Sequence, residues 1–487
     1  MLFYEIILIA YLISISILII FGCYDFLLMY YKKKYINNFP KPKQTQDEDE
    51  IVTIQLPVYN EIYVVERLIN AVCQMDYPKD KLEIQVLDDS IDETKELIAK
   101  IVAEKQVEGF NIRHLQRAKR EGFKAGALKE GLKTAKGKYI AIFDADFVPD
   151  KQFLRKTLKY FSKNDIGMVQ TRWVYFNENY SLLTKVQSLA LSKHFVLEQT
   201  VCNRAGFFIN FNGTAGVWRK ECIEDAGNWN SVTLTEDFDL SYRAQLKGWQ
   251  FIYLDDVTTP SELPIEIDAL KSQQFRWTKG AIETMKIILP RVWASKISFR
   301  VKLQSTFHLC YNILHPFTFL IGIMNLPFVF IKNSGQYWNL VSFITFFFVA
   351  FSVIPVCYFF IQNGFHSGWR KKILPFSLLI LGTMGFSLNN TLAVIEGLID
   401  KKSEFVRTPK GNVVSKKTNL NKKNKYSVKT NLQPLSFIEL VLSVYCFIGI
   451  LFSVYFKEIV LIPLQLLFFI GFMTVSFVSL NPAYGKK

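Results

Sequence analysis

A chain of 487 residues that is 50% hydrophobic and holds 43 phenylalanines is too apolar for a simple soluble enzyme and long enough for more than one domain. Its formal charge of +15 raises nucleic acid as a partner, but the excess clusters beside apolar segments, at Lys32–Lys34, Arg370–Lys372 and from Lys401 to Lys429. Cytosolic enrichment of Lys and Arg next to membrane spans accounts for that placement, so no nucleic acid is expected and membrane lipids are.

Leu2 to Tyr30 is apolar apart from Glu5 and Asp25 and lacks the basic start of a signal peptide, which predicts a retained transmembrane helix over 1–34. The lysines behind it place the next segment in the cytosol. A polar linker follows over 35–50. From Ile51 the texture changes, and a cytosolic domain is expected over 51–300 with interfacial helices at its end. Strands are predicted at Ile51–Tyr59, Glu83–Asp88, Asn111–Leu115, Tyr139–Asp144 and Gly167–Trp173, all rich in Ile, Val and aromatics. Helices are predicted between them at Ile62–Gln74, Glu93–Val107 and Lys124–Ala135. This alternation implies an α/β domain with a mostly parallel sheet, where ligands sit beyond the C-terminal strand ends.

Past Lys279 the pattern turns amphipathic and then strongly apolar. Within 301–487 an α-helical transmembrane region is expected, with spans at Phe307–Ile331, Leu340–Ile361, Leu435–Phe456 and Ile459–Leu480. Segment 373–399 is read as interfacial or re-entrant. If it crossed, the lysine-rich loop over 400–434 would lie outside, against the positive-inside rule. Five spans then leave Lys486 and Lys487 in the cytosol. The seven cysteines form no CxxC pair and the five histidines no zinc-type spacing, so reduced thiols and no zinc site are expected.

Four short motifs carry chemistry. Asp88-Asp89-Ser90 closes a strand, where a carboxylate accepts from a base N–H or a ribose hydroxyl; an acidic structural turn is the competing reading. Lys124 opens a helix of small residues, which suits a phosphate as well as it suits a solvated basic face. Asp144-Ala145-Asp146 follows a buried strand, and the period of two puts both carboxylates on one side, a hard-oxygen set for Mg²⁺ or Mn²⁺ bridging a diphosphate. Thr235-Glu236-Asp237 leads into a helix. It is either an N-cap with acidic first-turn residues or the site of a general base, Asp237. Finally, Gln273-Gln274-Phe275-Arg276-Trp277 joins an amide and a guanidinium suited to diphosphate oxygens with an indole face suited to a pyranose ring.

In their order these motifs resemble the family-2 inverting glycosyltransferases, in the membrane branch that contains cellulose synthases and plant mannan synthases. The resemblance runs from about Ile51 to Lys410 and includes Gln55-Leu56-Pro57-Val58-Tyr59-Asn60-Glu61, Lys124-Ala125-Gly126, Gln170-Thr171-Arg172-Trp173 and Phe211-Asn212-Gly213-Thr214. It implies a GT-A type nucleotide-sugar-binding domain. Asp88 or Asp89, with Lys124, Asp144, Gln273 and Arg276, would then bind the donor nucleotide. Asp144 and Asp146 would hold the metal, and Asp237 would be the catalytic base. Trp277, Asn212, Gly213, Thr214 and Glu236 would bind the acceptor. Phe405, Thr408 and Lys410 lie in a match to the family's gating loop, in which Arg407 stands where cellulose synthases carry Val.

The resulting expectation is an integral membrane enzyme of the plasma or inner membrane with a cytosolic catalytic domain. It would transfer hexosyl units from GDP-mannose or UDP-glucose, with Mg²⁺ or Mn²⁺, onto a growing glycan and export it through its own spans. The alternatives are a single-sugar transferase that makes a membrane glycolipid from a lipid acceptor and, more remotely, a non-catalytic nucleotide-binding subunit. No C-terminal regulatory module is expected, so control or export would fall to separate assembly subunits.

Overall fold

The computed structural model describes residues 2–42, 50–335, 337, 339–341, 343–344, 370–402, 407–413, 426 and 433–481. The first helix, α1 (Leu2–Tyr35), is one continuous rod of 34 residues. At 1.5 Å per residue it reaches about 50 Å, so it outruns a hydrocarbon core of about 30 Å and its last turn carries Lys32, Lys33 and Lys34 clear of it.

The α/β domain opens with β1 (Val52–Val58), α2 (Val65–Cys73), β2 (Leu82–Asp88), α3 (Thr94–Val107), β3 (Asn111–Gln116) and α4 (Phe123–Thr134). It continues through β4 (Tyr139–Ile142), α5 (Phe153–Leu158) and β5 (Ile166–Tyr175) to α6 (Leu182–Ser192), a π-helix at Lys193–Gln199 and α7 (Thr200–Arg204). The last members are β6 (Gly216–Arg219), α8 (Lys220–Asp225), α9 (Glu236–Leu246), β7 (Gln250–Ser261) and α10 (Ile267–Ala294). The sheet order is β3-β2-β1-β4-β6-β5-β7. Four of its six ladders are parallel; only β6 runs against its two neighbours.

The expected strands and helices all form, within a few residues of their predicted ends. One difference matters. β4 stops at Ile142 instead of Asp144, because its antiparallel partner begins at Gly216 and the Asp144 N–H turns aside to the Thr214 hydroxyl at 2.8 Å. That exit frees both carboxylates of the Asp144–Asp146 pair from the sheet. β6 and β7 were not foreseen. The first has four residues, too few to show a period, and the second carries Asp255, Asp256 and Pro260, which read as loop.

Helices cover both faces of the sheet. Ile54, Ala141 and Phe143 pack with Val65 and Leu68 of α2, Ile98 of α3 and Phe153 of α5. Ile140, Ile142 and Trp218 pack on the other face with Leu128 and Leu132 of α4 and Leu240 of α9. Because β1 and β2 are buried on both faces, their polar residues must pair within the sheet. Gln55 Nε2 donates to Gln85 Oε1 at 3.0 Å, and Thr53 Oγ1 to Glu83 Oε2 at 2.6 Å. The sheet thereby presents the ends of β1, β2 and β4 together, and the acidic motifs follow those ends.

Beyond α10 come α11 (Phe299–Cys310), α12 (Leu314–Asn333), α13 (Arg370–Gly385), α14 (Ser387–Leu398), α15 (Gln433–Tyr455) and α16 (Ile462–Leu480). Helices long and apolar enough to cross a membrane are Tyr4–Tyr35, Phe299–Asn333, Pro434–Tyr455 and Ile459–Leu480. The span expected at Leu340–Ile361 falls almost wholly outside the described residues, as does most of the 400–434 loop. Over 373–399, α13 and α14 meet at a bend of 48°. α13 packs so closely on α16 that a Cβ on Gly385 would come within 2.5 Å of the Gly471 carbonyl oxygen.

A third apolar cluster ties α1 to this bundle, where Tyr11 stacks on Phe328 at 4.7 Å and donates its hydroxyl to Asn325 Oδ1 at 3.2 Å. Outward on α1, Ile6, Ile9, Ile13 and Ile20 are exposed, as lipid-facing residues are. α10 is clamped to the bundle by Lys271 and Glu439, fully buried and 2.8 Å apart.

Candidate active site

The site lies over the C-terminal ends of β1, β2 and β4, roofed by α10 and by residues 407–413. α4 starts from Gly122 in the left-handed region, with φ +69°, which turns the helix N-terminus and Lys124 toward these strand ends. Lys124 Nζ meets Asp144 Oδ1 and donates to the Gly213 carbonyl at 2.8 Å. Burial opposes the charge on Lys124, but Asp144, Glu236 and Asp237 around it raise its pKa above the ordinary value.

Gly213 sits at φ +82°, and a Cβ there would lie 3.1 Å from Asp237 Oδ2. A side chain at this position would therefore crowd both the backbone and the carboxylate. Asp237 occupies the first turn of α9 beside Glu236. Burial, then the Glu236 charge, push its carboxyl up to about 7, Lys124 offsetting only part. Glu236 is raised too, by burial above all. The turn is held from behind by α10: Leu234 N donates to Glu283 Oε2 at 2.8 Å, and Thr235 Oγ1 lies 3.1 Å from Thr284 Oγ1.

A cavity of about 220 Å³ brings most of the sequence-predicted residues together. Asp89, Lys124, Asp144, Asp146, Asn212, Gly213, Glu236, Asp237, Gln273, Arg276, Trp277, Thr408 and Lys410 all border it. Two of the expected residues do not. Asp88 is buried beneath the pocket, where it accepts from Ser90 N, His114 and Gln116, and these bonds outweigh burial to lower its pKa. Thr214 is likewise fully buried, its hydroxyl spent on the Asp144 N–H. Phe405 lies outside the described residues.

Further residues brace the site. Arg120 lies 3.4 Å over the Tyr59 ring, and Arg117 grips Asp89 through Nε at 2.9 Å and through Nη2. The loop at 407–413 is fastened to the rim. Arg407 Nε donates to Glu61 Oε1 at 2.6 Å and its Nη atoms reach Glu61 and the Asn60 carbonyl. Lys410 Nζ stands 2.9 Å from Asp146 Oδ2, and Gly411 N donates to Glu262 Oε1 at 2.9 Å. Burial pushes Glu61 up to about 7 even with Arg407 beside it. Both halves of this clamp lie in segments that the resemblance picks out, Glu61 at the end of the Gln55–Glu61 motif and Arg407 in the gating-loop match.

Among the described residues no three His, Cys, Asp or Glu side chains converge as a metal site. Asp144 and Asp146 nonetheless fit a divalent cation of the kind that takes one or two carboxylates and completes its shell with phosphate oxygens. Each carboxylate is paired with an ammonium, Lys124 or Lys410, but the Asp and Glu bordering the cavity outnumber its Lys and Arg seven to five, which leaves room for a further cation.

A second cavity, of about 270 Å³, adjoins the first, and Asp237, Asn212, Trp277, Trp173, Leu191 and Thr235 border both. Its other walls come from the π-helix and from Phe307, His308, Tyr311 and Asn312 of the membrane-length helix Phe299–Asn333. One side of Asp237 is thus densely charged, with five Lys and Arg among seven Asp and Glu, a lining suited to a diphosphate together with a divalent cation. The other is aromatic and amide-lined, suited to a neutral hydroxylated ligand.

Residues 50–280 match the family model described as "Glycosyltransferase like family 2". The chain is 36% identical over 414 residues to glucomannan 4-beta-mannosyltransferase 1 of Oryza sativa subsp. japonica, covering 82% of this chain and 76% of that one. To glucomannan 4-beta-mannosyltransferase 1 of Cyamopsis tetragonoloba it is 33% identical over 449 residues, 85% and 80% of the two chains. Among solved structures, a mannosyltransferase from Pyrobaculum calidifontis in complex with GDP-Man and Mn²⁺ superposes with a TM-score of 0.54 at 18% identity, over 80% of this chain and 100% of that one. At that identity the likeness is one of fold.

Proposed function

The chain belongs to glycosyltransferase family 2, on the cellulose-synthase-like branch of the glucomannan 4-beta-mannosyltransferases, and from that premise we propose that it extends a β-mannan from GDP-mannose by inverting transfer. The observation that carries this reading is the position of Asp237 between the two cavities. The relatives' names supply the sugar and the linkage type.

In this reading the donor diphosphate lies in the charged cavity, held by Lys124, Arg276 and Gln273. A divalent cation at Asp144 and Asp146, Mn²⁺ or Mg²⁺, supplies charge neutralisation for the diphosphate. The acceptor end enters the aromatic cavity and rests on Trp277. Asp237 takes the proton of the acceptor hydroxyl as that oxygen bonds to the anomeric carbon. The bond from that carbon to the diphosphate oxygen breaks on the opposite face, and GDP leaves with the electron pair. A carboxyl poised near 7 suits such a base, which must be ionised at rest and basic enough to take a proton.

Export is supported by the contact of the acceptor cavity with the membrane helix Phe299–Asn333. Domain boundaries at about 34, 50 and 300, a cytosolic catalytic face at the plasma or inner membrane, and a re-entrant or interfacial 373–399 complete the reading. Thr408 and Lys410, with Phe405, belong to a loop that closes over the donor.

The test is product analysis. The purified protein in nanodiscs receives labelled GDP-mannose or UDP-glucose with Mn²⁺ or Mg²⁺. High-molecular-weight label from GDP-mannose, released by β-mannanase and not by β-glucanase, is the expected result. Label confined to an organic-soluble single-sugar lipid would overturn the polymer reading.

A further inference from the structure

The aromatic cavity contains polar machinery that the reaction just described does not use. Its source is the π-helix Lys193–Gln199, inserted between α6 and α7. The π turn is a rare geometry that recurs at functional sites, and here it turns His194, Glu198 and Gln199 into the cavity together. His194 Nδ1 lies 3.1 Å from Glu198 Oε2, and Nε2 lies 2.7 Å from Asn212 Oδ1. Each ring nitrogen has an oxygen as its nearest partner, Gln199 Nε2 standing farther from Nε2 at 3.3 Å, so the ring is placed to donate twice, as an imidazolium does. Burial opposes that charge, but the Glu198 bond, the Glu198 charge and the Asn212 bond together outweigh it and the His194 pKa is raised. Burial also opposes the charge on Glu198, yet the bond from His194 and the charges of Lys193 and His194 together hold its carboxyl down to about 2.

These contacts fix two amides. Asn212 Oδ1 receives His194, Asn210 Nδ2 at 3.1 Å and Gln199 Nε2 at 3.5 Å, so the flipped amide would set donor against donors. Asn212 Nδ2 is therefore the end turned away, and it is buried without a partner. Gln199 Nε2 donates to the Asn210 backbone carbonyl at 3.1 Å and to Asn210 Oδ1 at 2.8 Å. That leaves Gln199 Oε1 as a buried acceptor, also without a partner. Orphaned buried polar atoms are costly and call for an explanation. One donor and one acceptor at the rim and wall of one cavity match a sugar hydroxyl, which both accepts and donates. His194 and Glu198 neutralise each other, so the cavity offers a phosphate no net cation and fits a neutral glycan instead.

We propose that His194 and Glu198 are positioning residues that lock Asn212 and Gln199 as hydroxyl readers for a neutral glycan acceptor, and so select which hydroxyl faces Asp237. This rests on the glycan-extending reading above and names the acceptor side of the same site. Asn212 borders both cavities, so the reader stands at the point of transfer.

The experiment uses the full chain in nanodiscs with GDP-mannose, Mn²⁺ and β-1,4-mannohexaose. For His194→Ala and Glu198→Gln the KM for mannohexaose rises tenfold or more. GDP affinity and the slow hydrolysis of GDP-mannose by water stay within twofold, and His194→Gln, which keeps one N–H donor, restores part of the loss. GDP affinity and hydrolysis falling in step with elongation would assign the pair a merely structural role and overturn the inference. So would an unchanged acceptor KM. Glu198→Gln keeps size and shape, so it remains informative if His194→Ala does not fold.

If the wild type transfers mannose to no glycan, the functional reading fails before any variant is compared. Equilibrium binding of manno- and cello-hexaose then decides the inference alone. Binding weakened tenfold by Glu198→Gln upholds it, and no binding to the wild type sinks it.

Discussion

Replacing Asp237 with Asn keeps the shape of the side chain and removes the base. The Phe238 N–H, which donates to Asp237 Oδ1 at 2.8 Å, still finds an oxygen, so the first turn of α9 is preserved. General-base catalysis contributes about 10²- to 10⁴-fold, and transfer should fall by that amount while GDP affinity is unchanged. The wild-type pH profile follows from a carboxyl near 7. At pH 6 about one molecule in eleven carries the ionised base and at pH 8 about ten in eleven, so kcat/KM should rise roughly tenfold across that window.

Stability moves the other way. A raised carboxyl pKa means the fold prefers the proton, so this contribution is present below pH 3.8 and is lost as pH rises to about 7. Asp237→Asn should therefore melt at a higher temperature than the wild type at pH 8, with the difference shrinking toward pH 4. Glu61 titrates in the same range but faces Arg407, and Glu61→Gln serves as the control that should keep the step. If the residual activity of Asp237→Asn kept the tenfold step, or if GDP affinity fell with the rate, the base assignment would be wrong.

Other perturbations probe the walls of the site. In Gly280→Ala the new Cβ meets Thr235 Cγ2 at 2.7 Å and Thr235 N at 2.9 Å, so α10 must move off the Thr235–Asp237 turn. A loss of about 1–3 kcal/mol in stability with a larger drop in transfer is expected, and melting with initial rates checks both. Arg407→Ala leaves Glu61 without its main partner, so trypsin should cut after Lys410 at least tenfold faster in the nucleotide-free protein. An unchanged cleavage rate would show that the clamp does not hold the loop. Chelation should abolish transfer and weaken GDP-mannose binding, and Asp146→Ala should match it in binding assays. Wild-type transfer in EDTA would remove the metal from the reaction.

How much of this was legible depended on range. The strands of the α/β domain could be read because β1, β2 and β4 are short segments rich in Ile, Val and Leu, and the residues just after such strands lie at the ligand-binding edge by geometry alone. β6 escaped notice because four residues carry no period, yet it decides where β4 ends and thus frees Asp144 and Asp146. Asp88 and Asp89 are adjacent and chemically identical, and nothing local separates them. Pairing with His114 and Gln116 turns Asp88 inward, while Asp89 faces the cavity with Arg117 across it.

The sequence by itself determined the membrane-length apolar helix at the N-terminus, the α/β alternation and the order of acidic, amide and aromatic groups along the chain. Each is a local property, set by hydrophobic period and by the chemistry of neighbouring residues. Only the tertiary structure decided the rest. Asp237 came to divide a charged cavity from an aromatic one, Arg407 found Glu61 across 346 positions, and a π-helix turned His194 and Glu198 toward Asn212. Burial and charge are fields summed over every segment that folds around a group, and no stretch of sequence contains that sum.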